Sequence, residues 1–248
     1  MTDIDVALRE GFGLSDFRPW QREAIEELLE GRKRVLVIAP TGGGKSLCYQ
    51  LPASILDGTT IVISPLIALM EDQVRALTER GIPSTYLAST LEADELRRRE
   101  RAMTEGEYRL VYVAPERLES TWLLDRLSRL QPALVAVDEA HCISQWGHDF
   151  RPSYMRIGEV IERLKPPHVL ACTATATPVV RDEIQTRLGL ESERASVILR
   201  GFSRPNLHLS VVESDVASER RKRMLRALES ALGNPAAPRG GAIVYAAT

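Results

Sequence analysis

The sequence has few cysteines, no long apolar run and no surplus of charge of either sign, and each shortage removes a class of protein. Its three cysteines, Cys48, Cys142 and Cys172, lie far apart with no CxxC spacing. Neither a disulfide framework nor a zinc motif is legible, and a reducing cytosol fits. The longest apolar runs, such as Val35 to Ala39, fall far short of the roughly 20 residues a membrane helix needs. The opening stretch MTDIDVALRE is acidic and lacks the apolar stretch of a signal peptide. The expectation is a cytoplasmic protein with no membrane partner. Net charge is −2, which argues neither for nor against nucleic acid. The basic clusters ELRRRERA (Glu95 to Ala102) and ERRKRMLRAL (Glu219 to Leu228) read most simply as solvated helix faces. Repeats and low-complexity tracts are missing too.

What is present is a rhythm. At 248 residues, 44% hydrophobic and 27% charged, the chain is an ordinary globular protein with room for one large domain, or one and part of another. Short β-branched runs at Arg34–Ala39, Thr59–Ser64, Arg109–Val113, Leu134–Val137 and Val169–Thr173, with a weaker one at Ser84–Leu87, read as strands. Amphipathic segments such as Leu66–Glu79 and Ala93–Met103 read as helices between them. Several strands are almost wholly apolar, the pattern of strands buried on both faces of a parallel sheet. The fold class is therefore α/β, a helix-covered parallel sheet. Near residue 200 the pattern changes. RGFSRPNLHL has the Gly, Ser and Pro of a connector, so the domains are set at 1–202 and 203–248. The second holds a strand (Leu207–Val212), a helix (Ser218–Leu232), the loop GNPAAPRGG and a last strand, AIVYA. One strand–helix–strand unit cannot bury a core of its own. It reads as the opening of a second domain that the chain holds only in part.

APTGGGKS, Ala39 to Ser46, follows the first strand and opens the first helix. Gly42, Gly43 and Gly44, with Thr41, let backbone N–H groups curl around phosphate oxygens without Cβ clashes. Lys45 supplies a point charge for the terminal phosphates of ATP, and the Ser46 hydroxyl can ligate Mg²⁺. Ala39 stands where the generic GxxxxGKS pattern has its first glycine, so that pattern is matched in part. The partner should be a carboxylate at the tip of a neighbouring strand, where Asp138 and Glu139 lie. Asp138 is expected to hold Mg²⁺ through water, and Glu139 to orient and deprotonate the attacking water. A loop then carries Trp146, Phe150 and Tyr154 among His148 and Arg151. Its aromatics could stack the bases of single-stranded DNA, or form a satellite core beneath a long loop. Trp20 and Trp122 read as packing residues, Cys48 and Cys172 as buried small hydrophobes.

DEAH (Asp138 to His141) together with APTGGGKS resembles superfamily 2 helicases. AHCISQWGHDFRPSY is similar to the aromatic-rich loop of RecQ-family DNA helicases, and FRPWQ, GGGKSLCYQLPA, SPLIALMEDQV, YVAPERL, TATATP and FSRPNL match in order. The resemblance implies a RecA-like parallel sheet with helices on both faces, then the start of a second RecA-like domain. It implies an ATP- and Mg²⁺-dependent 3′-to-5′ DNA helicase of repair and recombination, monomeric and nucleoid-associated. Its partners would be single-stranded DNA and 3′-tailed duplexes, with contact to a single-strand-binding protein left to segments the chain does not contain. By the same resemblance Gln21 reads the adenine edge and Arg18 lies against the base. The aromatic usual four residues before that arginine is Leu14 here, with Phe12 two residues earlier, so stacking is weaker or differently supplied. Pro65 and Leu66 would lie on the DNA backbone path, Arg151 would approach a phosphate or base, and Thr173, Thr175 and His141 would link hydrolysis to domain movement. The family's catalytic arginine lies on motifs beyond the last strand, and no zinc is expected. One rival is a phosphate-loop enzyme without a nucleic-acid role. The other is a module that binds ATP and single-stranded DNA without unwinding.

Overall fold

The computed structural model describes residues 3–146, 149–191, 193, 195–200, 210–214, 216–234, 236–237 and 239–245. Residues 1–202 and 203–248 form two compact units.

The first unit opens with α1 (Ile4–Phe12) and α2 (Pro19–Leu29), followed by β1 (Arg34–Ile38) and α3 (Leu47–Ile55). The helix after the phosphate loop is thus the third rather than the first. There follow β2 (Thr60–Ile63), α4 (Ile67–Glu79), β3 (Ser84–Leu87), α5 (Ala93–Thr104), β4 (Leu110–Val113), α6 (Thr121–Leu130) and β5 (Leu134–Val137). After the loop come α7 (Ile157–Leu164), β6 (His168–Thr173), α8 (Pro178–Leu188) and β7 (Ser196–Leu199). The strand expectations agree to within a residue at each end. The sequence leads to no expectation of a strand at β7, a short and half-exposed edge strand whose Val197 and Leu199 face solvent.

The sheet runs β3-β4-β2-β5-β6-β1-β7 with every pair parallel. Side chains alternate across a strand, so each apolar strand feeds two cores. Leu36, Ile38, Ile61, Ile63, Val135 and Val137 point into one, with residues of α5 through α8. Val35, Val37, Val62, Leu134 and Ala136 point into the other, with residues of α1 through α4. A strand buried on both faces has no polar side to present, which is why alternation is missing from these runs.

Several individual expectations shift. Trp20 packs in the core as read, and Cys48 and Cys172 are free and buried. Trp122 does not pack against the sheet: it is 46% exposed, with the Arg126 guanidinium 4.0 Å over its ring. The arginines of Glu95–Ala102 lie mainly in solvent-facing ion pairs with Asp94 and Glu95.

In the second unit α9 (Ala217–Leu232) forms as expected and buries none of its residues. The strands expected at Leu207–Val212 and AIVYA are not present where the residues are described: 210–214 and 241–245 carry no strand structure. A strand exists through its ladder partners, and among the described residues these segments have none, leaving Val211, Ile243 and Tyr245 largely exposed. Residues 207–209 and 246, like the rest of FSRPNL, lie outside the described residues. No helix among the described residues is long and apolar enough to cross a membrane.

Among the described glycines, the closest approach is at Gly158, where α7 meets α8. A Cβ placed on Gly158 would sit 2.1 Å from the Arg187 carbonyl oxygen. Gly158→Ala should therefore force the helices apart and destabilise the unit by about 1–3 kcal/mol. The check is urea unfolding, where the midpoint should fall with the slope unchanged.

Candidate active site

In a parallel sheet the carboxyl ends of the strands share one edge, and ligands bind in the crevice there. Three tips meet at this edge. β1 runs into the phosphate loop, β6 ends at Thr173, and β5 runs into Asp138 and Glu139. The carboxylates were expected on the strand next to β1, and this is corrected by the topology: β6 lies between them. Strands spaced about 4.8 Å apart put loop and carboxylates roughly 10 Å apart at their roots. That gap suits a phosphate group and an ion.

The loop is shaped by its glycines. Gly42 and Gly44 have φ of 74° and 78°, a region open to glycine at little cost. A Cβ on Gly43 would lie 2.7 Å from the Pro40 carbonyl oxygen, and one on Gly44 would lie 2.7 Å from Gln21 Nε2. The N–H groups of Gly42, Gly44 and Lys45 have no acceptor among the described residues, while Gly43 donates to Pro40 O at 3.0 Å. Thr41, Gly42 and Gly44 are exposed. These are the donors of an anion cradle. Lys45 Nζ rests on the carbonyl oxygens of Ala39 (2.9 Å) and Pro40 (3.3 Å), and its charge lowers the pKa of both Asp138 and Glu139. Ser46 caps α3 by position without a side-chain cap bond, which leaves its hydroxyl available to a cation. The residues present fit a nucleotide triphosphate with a divalent ion.

Gln21 braces the loop. Its Oε1 accepts from Arg18 N at 2.9 Å, and its Nε2 donates to the carbonyl oxygens of Gly44 (2.9 Å) and Gly43 (3.4 Å). Both ends of the amide are engaged by backbone, and Gln21 thereby ties α2 to the loop. Arg18 is exposed at the start of α2. Phe12 lies in the core, so it offers no stacking surface, and Leu14 is 45% exposed.

The two adjacent carboxylates differ sharply. Asp138 is buried; burial first, and the Glu139 charge second, push its carboxyl up to about 6. Glu139 is held below the usual carboxylate range, chiefly by its hydrogen bond to His141. Glu139 also has φ 47°, an unfavourable backbone for a residue with a Cβ and the kind of strain that collects at functional sites. His141 is buried, with Nδ1 2.9 Å from Thr173 Oγ1 and 3.3 Å from Glu139 Oε2. The Thr173 hydroxyl gives its proton to Thr175 O at 3.0 Å and accepts from Thr175 N at 3.3 Å. It must then accept from His141 as well, which places the imidazole proton on Nδ1.

The aromatic loop is split between roles. Trp146 is 80% exposed, which removes it from any satellite core, and Phe150 is half-buried. Tyr154 is fully buried, and its hydroxyl donates to Asp138 O at 2.9 Å. Arg151 donates to Pro65 O at 3.0 Å, fastening the loop to the exposed segment at Leu66. Ser144 donates to Glu183 on α8 at 2.7 Å and accepts from Trp146 N at 3.2 Å. Ser144 and Glu183 carry no signal in the sequence; Tyr154 is legible there as one of the loop's aromatics, but its inward, anchoring role is not, although it stands within three residues of an apolar helix. His148 lies outside the described residues.

A carboxylate pair thus faces a phosphate loop across one strand, and a histidine on the carboxylate turn bonds to the tip of that intervening strand. The model of the DEAD/DEAH box helicase family matches residues 18–183. The chain belongs to that family. Within it, the chain is 50% identical over 205 residues to the ATP-dependent DNA helicase RecQ of Bacillus subtilis, covering 82% of this chain and 34% of the relative. It is 39% identical over 236 residues to the probable ATP-dependent DNA helicase RecS of the same organism, covering 94% and 46%. Among solved structures, the helicase Lhr of Mycobacterium smegmatis, bound to single-stranded DNA and AMP-PNP, superposes with a TM-score of 0.63 at 22% identity, over 91% of this chain and 32% of that one. The helicase domain of Hef from Pyrococcus furiosus gives 0.58 at 22% identity, over 87% and 46%. The fold is thus RecA-like. The chain spans between a third and a half of the length of the curated relatives described here.

Burial of Asp138 has a measurable consequence for stability. Its carboxyl keeps its proton up to about pH 6 in the folded state, against an ordinary value of 3.8. Stability from this group is therefore greatest below the ordinary value and falls as pH rises through that window. Asp138→Asn removes the buried charge. It should raise the melting temperature at pH 7.5, and the gain should fade by pH 4.5; thermal unfolding at the two pH values checks it.

Proposed function

We propose that the chain is the ATP-binding part of a RecQ-type DNA helicase that uses ATP and Mg²⁺ to move 3′-to-5′ on DNA in repair and recombination. One observation carries the reading most: the aromatic loop with the exposed Trp146 grows directly from the turn that holds Glu139 and His141, and is fastened at Tyr154 to Asp138 itself. A base stacked on Trp146 can thereby bias the carboxylates, and the nucleotide state can bias the loop.

In this reading the N–H groups and glycines of 41–44 cradle the phosphates, Lys45 neutralises their charge, and Ser46 and Asp138 hold Mg²⁺. The ion supplies charge stabilisation at the phosphates when bound. Glu139, ionised at neutral pH, takes the proton of the attacking water. His141, with its proton on Nδ1, positions the Glu139 carboxylate and joins it to Thr173 and Thr175. Pro65, Leu66, Trp146, Phe150 and Arg151 form the DNA-facing side. The segment from 203 onward is the start of a second RecA-like domain, and the protein is a DNA-bound cytoplasmic monomer.

Two substitutions in the intact protein test the reading. Glu139→Gln should keep nucleotide affinity and slow hydrolysis by about 10²–10⁴-fold; normal turnover, or lost affinity instead, would move the base elsewhere. Trp146→Ala should leave basal hydrolysis nearly unchanged and flatten its stimulation by single-stranded DNA, since a base–aromatic stack contributes about 1–3 kcal/mol. If stimulation survives whole, the loop is not the DNA sensor.

A further inference from the structure

The cysteine spacing offers no metal motif, yet the fold gives Cys142 two partners that spacing cannot show. The turn Ala140–Ile143 sets His141 and Cys142 side by side, and the loop brings Asp149 back to them. Cys142 Sγ is 3.9 Å from His141 Nε2 and 3.7 Å from Asp149 Oδ2, and all three donor atoms lie within 4.8 Å of one another. Around tetrahedral zinc, with Zn–S about 2.3 Å and Zn–N or Zn–O about 2.0–2.2 Å, sulfur stands about 3.6 Å from each neighbouring donor. Both separations from sulfur therefore match to within a few tenths of an ångström. The remaining one closes by movement of Asp149, which is exposed.

The imidazole is also prepared for the task. With its proton on Nδ1, held by Thr173 and Glu139, the lone pair sits on Nε2, the nitrogen beside the sulfur. Histidines that bind metals are oriented in this way, by a hydrogen bond from the other ring nitrogen. An imidazole, a thiol and one carboxylate suit zinc, whereas Mg²⁺ prefers oxygen ligands alone.

We propose that His141, Cys142 and Asp149 form a three-ligand zinc site, with water in the fourth position. On binding, the thiol proton leaves to solvent, the S–H···O contact to Asp149 is replaced by Zn–S and Zn–O bonds, and Asp149 gives up its 3.5 Å contact with Arg151. Zinc would tie the turn carrying Glu139 to the aromatic loop. On the function proposed above, on which this consequence rests, it would suppress DNA-stimulated hydrolysis.

The test begins with Co²⁺ as a spectroscopic probe and Zn²⁺ as its competitor. The chain should take up one Co²⁺ with a sulfur-to-cobalt charge-transfer band that Zn²⁺ abolishes. Cys142→Ser should lose the band, and Asp149→Asn should weaken zinc binding at least tenfold in competition with a chromophoric chelator. Because Cys142 is buried, circular dichroism checks that its variant folds, and the exposed Asp149 variant decides the matter if it does not. A titration without the band, or zinc binding that survives Asp149→Asn undiminished, overturns the site. These readouts need no ATP turnover, so they stand whether or not the helicase reading does. Zinc inhibition of the intact protein, relieved by Asp149→Asn, then tests the regulatory consequence alone.

Discussion

The hydroxyl of Thr173 is the point on which the strand-tip edge is built. It sits at the end of β6, the strand that separates the phosphate loop from the carboxylates. Its backbone carbonyl accepts from Ala39 N at 3.1 Å at the root of the phosphate loop. Its side chain accepts from His141 and from Thr175 N, and donates to Thr175 O. One buried residue thus touches the loop on one side, the carboxylate turn on the other and the chain leaving the sheet ahead. A buried hydroxyl with all its bonds made is costly to disturb, and a shift in any one of the three segments must be answered by the others. Valine would fill the same space and break all the side-chain links.

Electrostatics at this edge are deliberately unbalanced. Two carboxylates at adjacent positions, one of them buried, would repel each other and resist ionisation in isolation. His141 relieves Glu139, and Lys45 acts on both, yet Asp138 remains raised by its burial. A site that keeps a carboxylate ready but under-compensated is one that gains from a cation. The cost is borne by the fold, in the two cores beneath the sheet.

The aromatic loop owes its position to residues that are not its most visible ones. Tyr154 holds it to Asp138, Arg151 holds it to Pro65, and Ser144 holds its start to Glu183. Trp146 is left outside these ties, 80% exposed. An exposed indole on a fastened loop can meet a base without ordering much chain, which keeps the entropy of binding low.

The sheet was legible because its strands are short, apolar and β-branched, and burial on both faces leaves that signature locally. The phosphate loop was legible because steric demands of backbone curling leave glycines at fixed positions next to a lysine. The aromatic loop was legible as a whole, but the division of labour within it was not. Nothing in the spacing says that Tyr154 turns inward and Trp146 outward, or that Arg151 meets a carbonyl 86 residues earlier. Strand order was hidden for the same reason: β6 comes late in the chain yet lies between β1 and β5. β7 was missed because half its surface faces solvent, and the strands expected after residue 206 failed where described because a strand needs a partner that its own sequence does not encode. Local chemistry, then, was written in the residues: which loop binds phosphate, which carboxylates stand ready, which segment carries aromatics. Which of those groups touch, and so which carboxylate is buried, which histidine nitrogen holds the proton and which cysteine gains a histidine and an aspartate, was decided by tertiary packing, because contacts between distant segments depend on the path of the whole chain.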